Sequence, residues 1–165
     1  KKMIKELKIQ AFSFEVPILD TLVIVCYDHN TDHAIREIVK LANEKYFRIN
    51  NYTDLSLLEG LDNKLSKAGF VKEVSEYAKL IVHYLDIDEM NSRLSGEPIE
   101  KSIVHEVCHI TQRICRNHQV NDDEFFAYLT EYIYDKILEQ VDEEYKQEKS
   151  KRESDLLEAT KEIPS

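Results

Sequence analysis

Residues 104–112 read VHEVCHITQ and contain HEVCH, two histidines bracketing a glutamate. On an α-helix His105 and His109 lie one turn apart on the same face, so two imidazoles can meet one Zn²⁺ at about 2.0–2.1 Å. Glu106 sits beside them on the turn, close enough to take a proton without becoming a ligand. Zinc lowers the pKa of a coordinated water toward about 7, and the glutamate then serves as general base for attack on a peptide carbonyl. With 6 histidines among 165 residues, the pattern arises by luck in roughly 3% of such chains. It is therefore suggestive and insufficient alone, and the rest of the chain has to supply a helix, a third ligand and a substrate surface.

An extended H-x-x-G-x-x-H would place the third histidine six residues after His109, where the chain has Cys115, and His118 is off that register in a turn. Two glutamates remain on the following helix, Glu124 and Glu131, which share a face because they are seven apart. If the helices fold back about Gln119 and Val120, counting at about 1.5 Å per residue sets Glu131 opposite His109 and Glu124 nearer the turn. Glu131 with Asp135 also offers a carboxylate that could orient a ligating histidine. Glu124 has a structural reading of its own, because Asn121 with Glu124 is the N-x-x-E form of a helix start box. Tyr128, one turn from Glu124, can donate its hydroxyl to a developing oxyanion or serve as a packing tyrosine with a wet tip. His83 reads as a sheet residue, and Cys108 and Cys115 as small core residues on the active helix.

The elements that position these groups are legible in the periodicities. KELKIQAFSF alternates loosely, and ILDTLVIVCYD is a β-branched strand that stops at DHNTD, where Asn30 or Thr31 can cap a helix. In AIREIVKLANEKYF, Ala34, Ile35, Ile38, Val39 and Ala42 repeat at three and four, giving a helix with one apolar face packed on a sheet. Residues 48–70 hold a polar NNYTD and a short helical pattern through LSLLEGLDNKL before a break at Gly69. LIVHYL is a further strand, and Pro98 stands where a helix begins. From there Ile99, Ile103, Val107, Ile110 and Ile114 trace a buried stripe through HEVCH. EFFAYLTEYIYDKILEQV is a second amphipathic helix, with Phe126, Leu129, Ile133 and Ile137 in register. The division expected is a domain over 1–141 and a charged helical or flexible tail over 142–165, where apolar periodicity is lost and Glu148 and Arg152 are spaced as on a solvated helix.

Composition narrows the partners. Charged residues make up 33% and hydrophobic ones 42%, a globular balance, and the net charge is −10. That charge argues against nucleic acid, because phosphate binding needs clustered Lys and Arg. No apolar run approaches membrane-spanning length, and no signal core follows the basic opening KKMIKELK. Three cysteines without framework spacing fit a reducing compartment, so the expected location is cytoplasmic.

HEVCH followed by DDEFFAYLTEYI resembles a group of small phage-encoded zinc metallopeptidases, in which a helix bearing HExxH is followed by an acidic turn and E-x-x-A-Y-L. The same E-x-x-A step is similar to the third-ligand helix of the ImmA/IrrE-type minimal gluzincins. The resemblance implies His105, His109 and Glu124 as the metal ligands, Glu106 as the catalytic glutamate, and Ala127 as the small residue that lets two helices approach. It covers roughly the second half of the folded part, with LIVHYL as the family's edge strand. The stretch between HEVCH and Glu124 is shorter than in that group, and Cys108 replaces a more usual apolar or small residue. The implied fold is α+β, a minimal zincin-like layout. A small twisted sheet carries the N-terminal helix and both zinc-binding helices on one side, with a charged tail beyond. The implied function is zinc-dependent hydrolysis of a peptide or protein substrate that adds as a strand along residues 79–85. The rival reading is a phage virion or assembly protein whose zinc is structural or whose activity is vestigial. Its tail would then dock on phage structural proteins, and its location would be host cytoplasm or virion.

Overall fold

The structure, a computed structural model, describes residues 7–47, 69–73, 79–88 and 98–162. The short helical pattern read in LSLLEGLDNKL lies outside the described residues, as does all of the SRLSGEP loop but Pro98.

The protein is α+β, built on a four-stranded mixed sheet. Its strands are β1 (Gln10–Val16), β2 (Thr21–Asp28), β3 (Gly69–Glu73) and β4 (Leu80–Asp86), in the order β1-β2-β4-β3. β1 and β2 form an antiparallel hairpin whose tight turn runs through Pro17–Leu19, with Asp20 left-handed at φ 47°. β2 and β4 pair in parallel, Val25 facing His83, and β3 closes antiparallel on β4.

Every residue of β2 is buried because both faces of the sheet are covered. Leu22, Ile24 and Cys26, with Leu80, Val82 and Tyr84 of β4, meet Ala34 and Ile38 of helix α1 (Thr31–Leu41). The alternate set, Val23, Val25, Tyr27, Ile81 and Leu85, meets α2 (Ile99–Asn117) and α3 (Asp123–Val141) through Ile103, Val107, Ile110, Ile133 and Ile137. A strand apolar on both faces reads as a continuous run instead of an alternating one, which is why TLVIVCY has no period of two. Two expectations change here. α1 lies on the opposite face from α2 and α3, so the molecule has three layers where a single covered face was expected. β4 is not an edge strand: its backbone is hydrogen-bonded to β2 on one side and β3 on the other, so no substrate strand can add along residues 79–85.

The helix ends follow local chemistry. The Asn30 side chain accepts from His33 N at 2.9 Å and caps α1. Asp122, and not Asn121, caps α3 by accepting from Phe125 N at 2.7 Å, which leaves Glu124 outside the start box. Past the end of α2 at Asn117 the chain turns at Gln119, left-handed at φ 53°, with Val120 N donating to Cys115 O at 2.9 Å and His118 Nδ1 bonded to Ile114 O at 3.0 Å. That commits His118 to the helix terminus. The tail is a helix, α4 (Glu143–Lys161), whose first turns are tied to α3 by Tyr145 on Asp135 and by Lys149 between Asp135 and Glu139. No residue of α4 is buried. Among the described residues no helix is long and apolar enough to cross a membrane.

Asp28 ends β2 at 1% exposure, accepting from His29 N at 2.8 Å, from Asn30 N at 3.0 Å, and pairing with His33 Nδ1. Burial pushes its carboxyl up, but the bonds from His33, Asn30 and His29 outweigh burial and hold it below the usual carboxylate range. A depressed folded pKa contributes stability above the unfolded value of about 3.9 and loses it as pH falls through the folded value. Asp28→Asn is expected to lower the unfolding free energy at neutral pH by about 1–3 kcal/mol. Urea melts of both proteins across the acid range should show that gap narrowing below about pH 4.

Candidate metal centre

α2 is helical because Pro98 sets its entry, Glu100 and Arg116 complement its dipole, and its apolar stripe is spaced for one face. Ile99, Ile103, Val107, Ile110 and Ile114 take the sheet side. His105 and His109 fall off that stripe and are exposed. Their Nε2 atoms converge to 3.2 Å, with ring centroids 4.8 Å apart and planes at 82°. Two nitrogens 3.2 Å apart subtend about 100° at a point about 2.05 Å from each, close to the tetrahedral angle zinc favours. The same separation lets neutral rings share one hydrogen bond, so the pair is spaced for either a proton or a metal ion between them.

Glu106 is half-buried on the flank of α2 toward the sheet. Burial raises its carboxyl, while His105, His109 and Arg113 pull it back in part. Beneath it is a buried polar pair that sequence reasoning had not connected. Tyr27 OH and His83 Nε2 lie 3.1 Å apart, both side chains closed to solvent. Burial, and then the charge of Glu106, raise the Tyr27 phenol. His83 is thus a sheet residue, as its strand context suggests. Its partner was not readable, because the two residues meet only through the parallel register of β2 and β4. Cys108 is half-buried, and burial raises the Cys115 thiol, as expected of a core residue.

The hydroxyls of Thr111 and Thr130 lie 3.2 Å apart and mark the seam between α2 and α3. Counting antiparallel from that pair, Glu131 stands level with Ile110, one residue from the level of His109, whose side chain lies about 160° round α2 from Thr111. Glu124 stands level with Asn117, about 10 Å further toward the turn. Both glutamates are exposed, and both lie well round α3 from the seam, by about 100° and 120°. Among the described residues, no group of three or more His, Cys, Asp or Glu side chains is arranged to hold a metal ion, so two donors are brought together and a third is not. Tyr128 is 67% exposed and about 160° round α3 from Thr130. It faces the Pro17–Leu19 turn and the start of α4, away from HEVCH.

Compared with known protein families, curated proteins and solved structures, the chain matches none. The chemistry of the site therefore rests on the residues themselves.

Zinc titrated into metal-free protein should bind at one equivalent per chain and be lost in His105→Ala, as read by mass spectrometry under native conditions. The seam register expects Glu131→Gln to weaken zinc binding more than Glu124→Gln, with the first-shell loss exceeding the 10- to 100-fold typical of outer-shell changes. The opposite ranking would restore the ligand that the E-x-x-A resemblance implies.

Proposed function

We propose that the protein is a zinc-dependent peptide hydrolase of the small HExxH type, akin to the phage-encoded peptidases its motif resembles. The observation that carries the reading is the 3.2 Å convergence of the His105 and His109 Nε2 atoms on an exposed helix face, with the half-buried Glu106 carboxylate beside them. His105 and His109 would hold the metal with one carboxylate from α3. Bound zinc would supply a Lewis acid that polarises the scissile carbonyl and acidifies water. Glu106 takes the proton from the attacking water and delivers it to the amine as the C–N bond breaks. Its half-buried setting keeps bulk water from competing for that proton, and the buried Tyr27–His83 pair gives it a rigid floor.

An extended substrate would pair on the open side of β3, which among the described residues is an edge of the sheet and lies under α2. Tyr128 has no part in this chemistry, given its place across α3.

The second reading, an assembly protein with structural or vestigial zinc, is favoured by one feature. Beyond its anchored first turns α4 projects Leu156 and Leu157 at 70% and 63% exposure, as a docking arm would.

Glu106→Gln should keep zinc content and melting temperature near wild type while hydrolysis of an unfolded peptide library falls by about 10²- to 10⁴-fold. Loss of zinc in this variant would mean that Glu106 is misassigned. Truncation after Asp142 should leave the fold and zinc binding intact, since α4 buries no residue. Retained peptidase activity in the truncation would favour the free enzyme, whereas loss of co-assembly with a larger particle would favour the docking arm.

A further inference from the structure

On the side of α3 away from α2, Tyr128 and Tyr132, one turn apart, build a ridge with a cleft on either side. The first cleft, of about 260 Å³, lies between the Pro17–Leu19 turn and Phe125 and Leu129 of α3. Its walls are almost wholly carbon. The second, of about 480 Å³, lies between α3 and α4 and is walled by Glu131, Tyr134, Asp135 and Tyr145. Both tyrosines of the ridge line both clefts, so the two are separated by the width of one side chain. Residues two apart in an extended segment, about 7 Å, can straddle it.

The chemistry of the second cleft suits a cation, because tyrosine faces and carboxylates both attract positive charge. The protein's own cations already use these groups. Lys136 Nζ stands 5.5 Å from the centroid of the Tyr132 ring, and the Lys149 ammonium is held by Asp135 and Glu139. Glu131 has no ion-pair partner among the described residues and is left to meet a charge from outside. The first cleft suits an aliphatic or aromatic side chain, and its rim carries Ile18 at 87% exposure beside Tyr128. Exposed apolar groups gathered at a cleft, with tyrosines at its centre, are the composition of an interface. Tyr132 is fixed by donating to Glu15 O at 2.9 Å, so its half of the ridge is held before anything binds and less entropy is lost there on binding. The net charge of −10 draws a basic partner and repels an acidic one.

We propose that this double cleft is a docking site for a partner protein segment in which an apolar side chain is followed, two residues on, by Lys or Arg. The apolar side chain fills the cleft under Ile18. The cation crosses the tyrosine ridge to lie against Glu131. The site lies across α3 from His105 and His109 and needs no metal; the one residue it shares with the metal reading is Glu131, so the peptide test is run on metal-free protein.

The test is fluorescence anisotropy with a fluorescein-labelled glycine-serine decapeptide carrying one phenylalanine and, two positions on, one arginine. Two control peptides replace the arginine by glutamate or the phenylalanine by serine. The parent peptide should bind at least about tenfold tighter than either control, and Tyr128→Ala, Ile18→Ser and Glu131→Lys should each weaken it by at least about tenfold. All three positions are exposed, and matching circular dichroism melts check that the variants fold. The proposal is overturned if the controls bind equally well, if the variants bind as wild type does, or if no binding appears up to about 1 mM. It is also overturned if Tyr128→Ala abolishes a self-association of the wild-type chain seen by sedimentation, since a second copy would then be the occupant.

Discussion

The parallel pairing of β2 with β4 is the constraint on which the remaining structure depends. Parallel strands are joined by a crossover, and both of their faces must be covered. α1 covers one face through Ala34 and Ile38, and α2 with α3 covers the other through Ile103, Ile110 and Ile133. Burying a large aliphatic side chain contributes about 1.5–3 kcal/mol, so Ile99, Ile103, Val107, Ile110 and Ile114 together fix the rotation of α2 about its axis. That rotation decides where His105, Glu106 and His109 point. With the isoleucine stripe held against the sheet, the histidines are turned to solvent and Glu106 is left at the boundary.

The boundary position gives Glu106 its character. A fully exposed carboxylate would be solvated on all sides, and a fully buried one would need a hydrogen-bonded partner. Glu106 has water on one side, and beneath it the Tyr27–His83 pair, which is closed to solvent and hydrogen-bonded within itself. Burial raises its carboxyl above the usual range, and the two histidines with Arg113 draw it only part of the way back. The arrangement leaves a carboxylate adjacent to two convergent nitrogens without committing it to either.

The charged C-terminal segment behaves differently from a packed helix. α4 buries nothing, and its attachment is electrostatic, through Lys149 on Asp135 and Glu139 together with the Tyr145 hydroxyl. The hydrogen bonds from Lys149 and Tyr145 overcome burial and keep the Asp135 carboxyl below its ordinary range. Such contacts orient a helix without anchoring it as a core would, and they leave the tyrosine-rich side of α3 open between the hairpin turn and the tail.

Sequence patterning alone determined the helices through HEVCH and EFFAYLTEYI, a cap at Asn30 or Thr31, a connection about Gln119 and Val120 and the strand through LVIVCY, because each depends on residues a few positions apart. The i, i+4 spacing of His105 and His109 belongs to the same class, since one helical turn is enough to bring two imidazoles together. The tertiary structure alone decided what depends on pairing across the chain. β4 was expected at an edge from the resemblance, and its apolar run could not correct that, being the same whether one or two neighbours pair with it. α1 could sit on either face, since a doubly buried strand carries no alternation to say which. The level of Glu131, which counting back from the turn had already suggested, is fixed by the contact of Thr111 with Thr130, and the placement of Tyr128 follows from the packing of α3 on β1. How far round its helix each side chain ends up is set by the whole core and is written in no single stretch of residues.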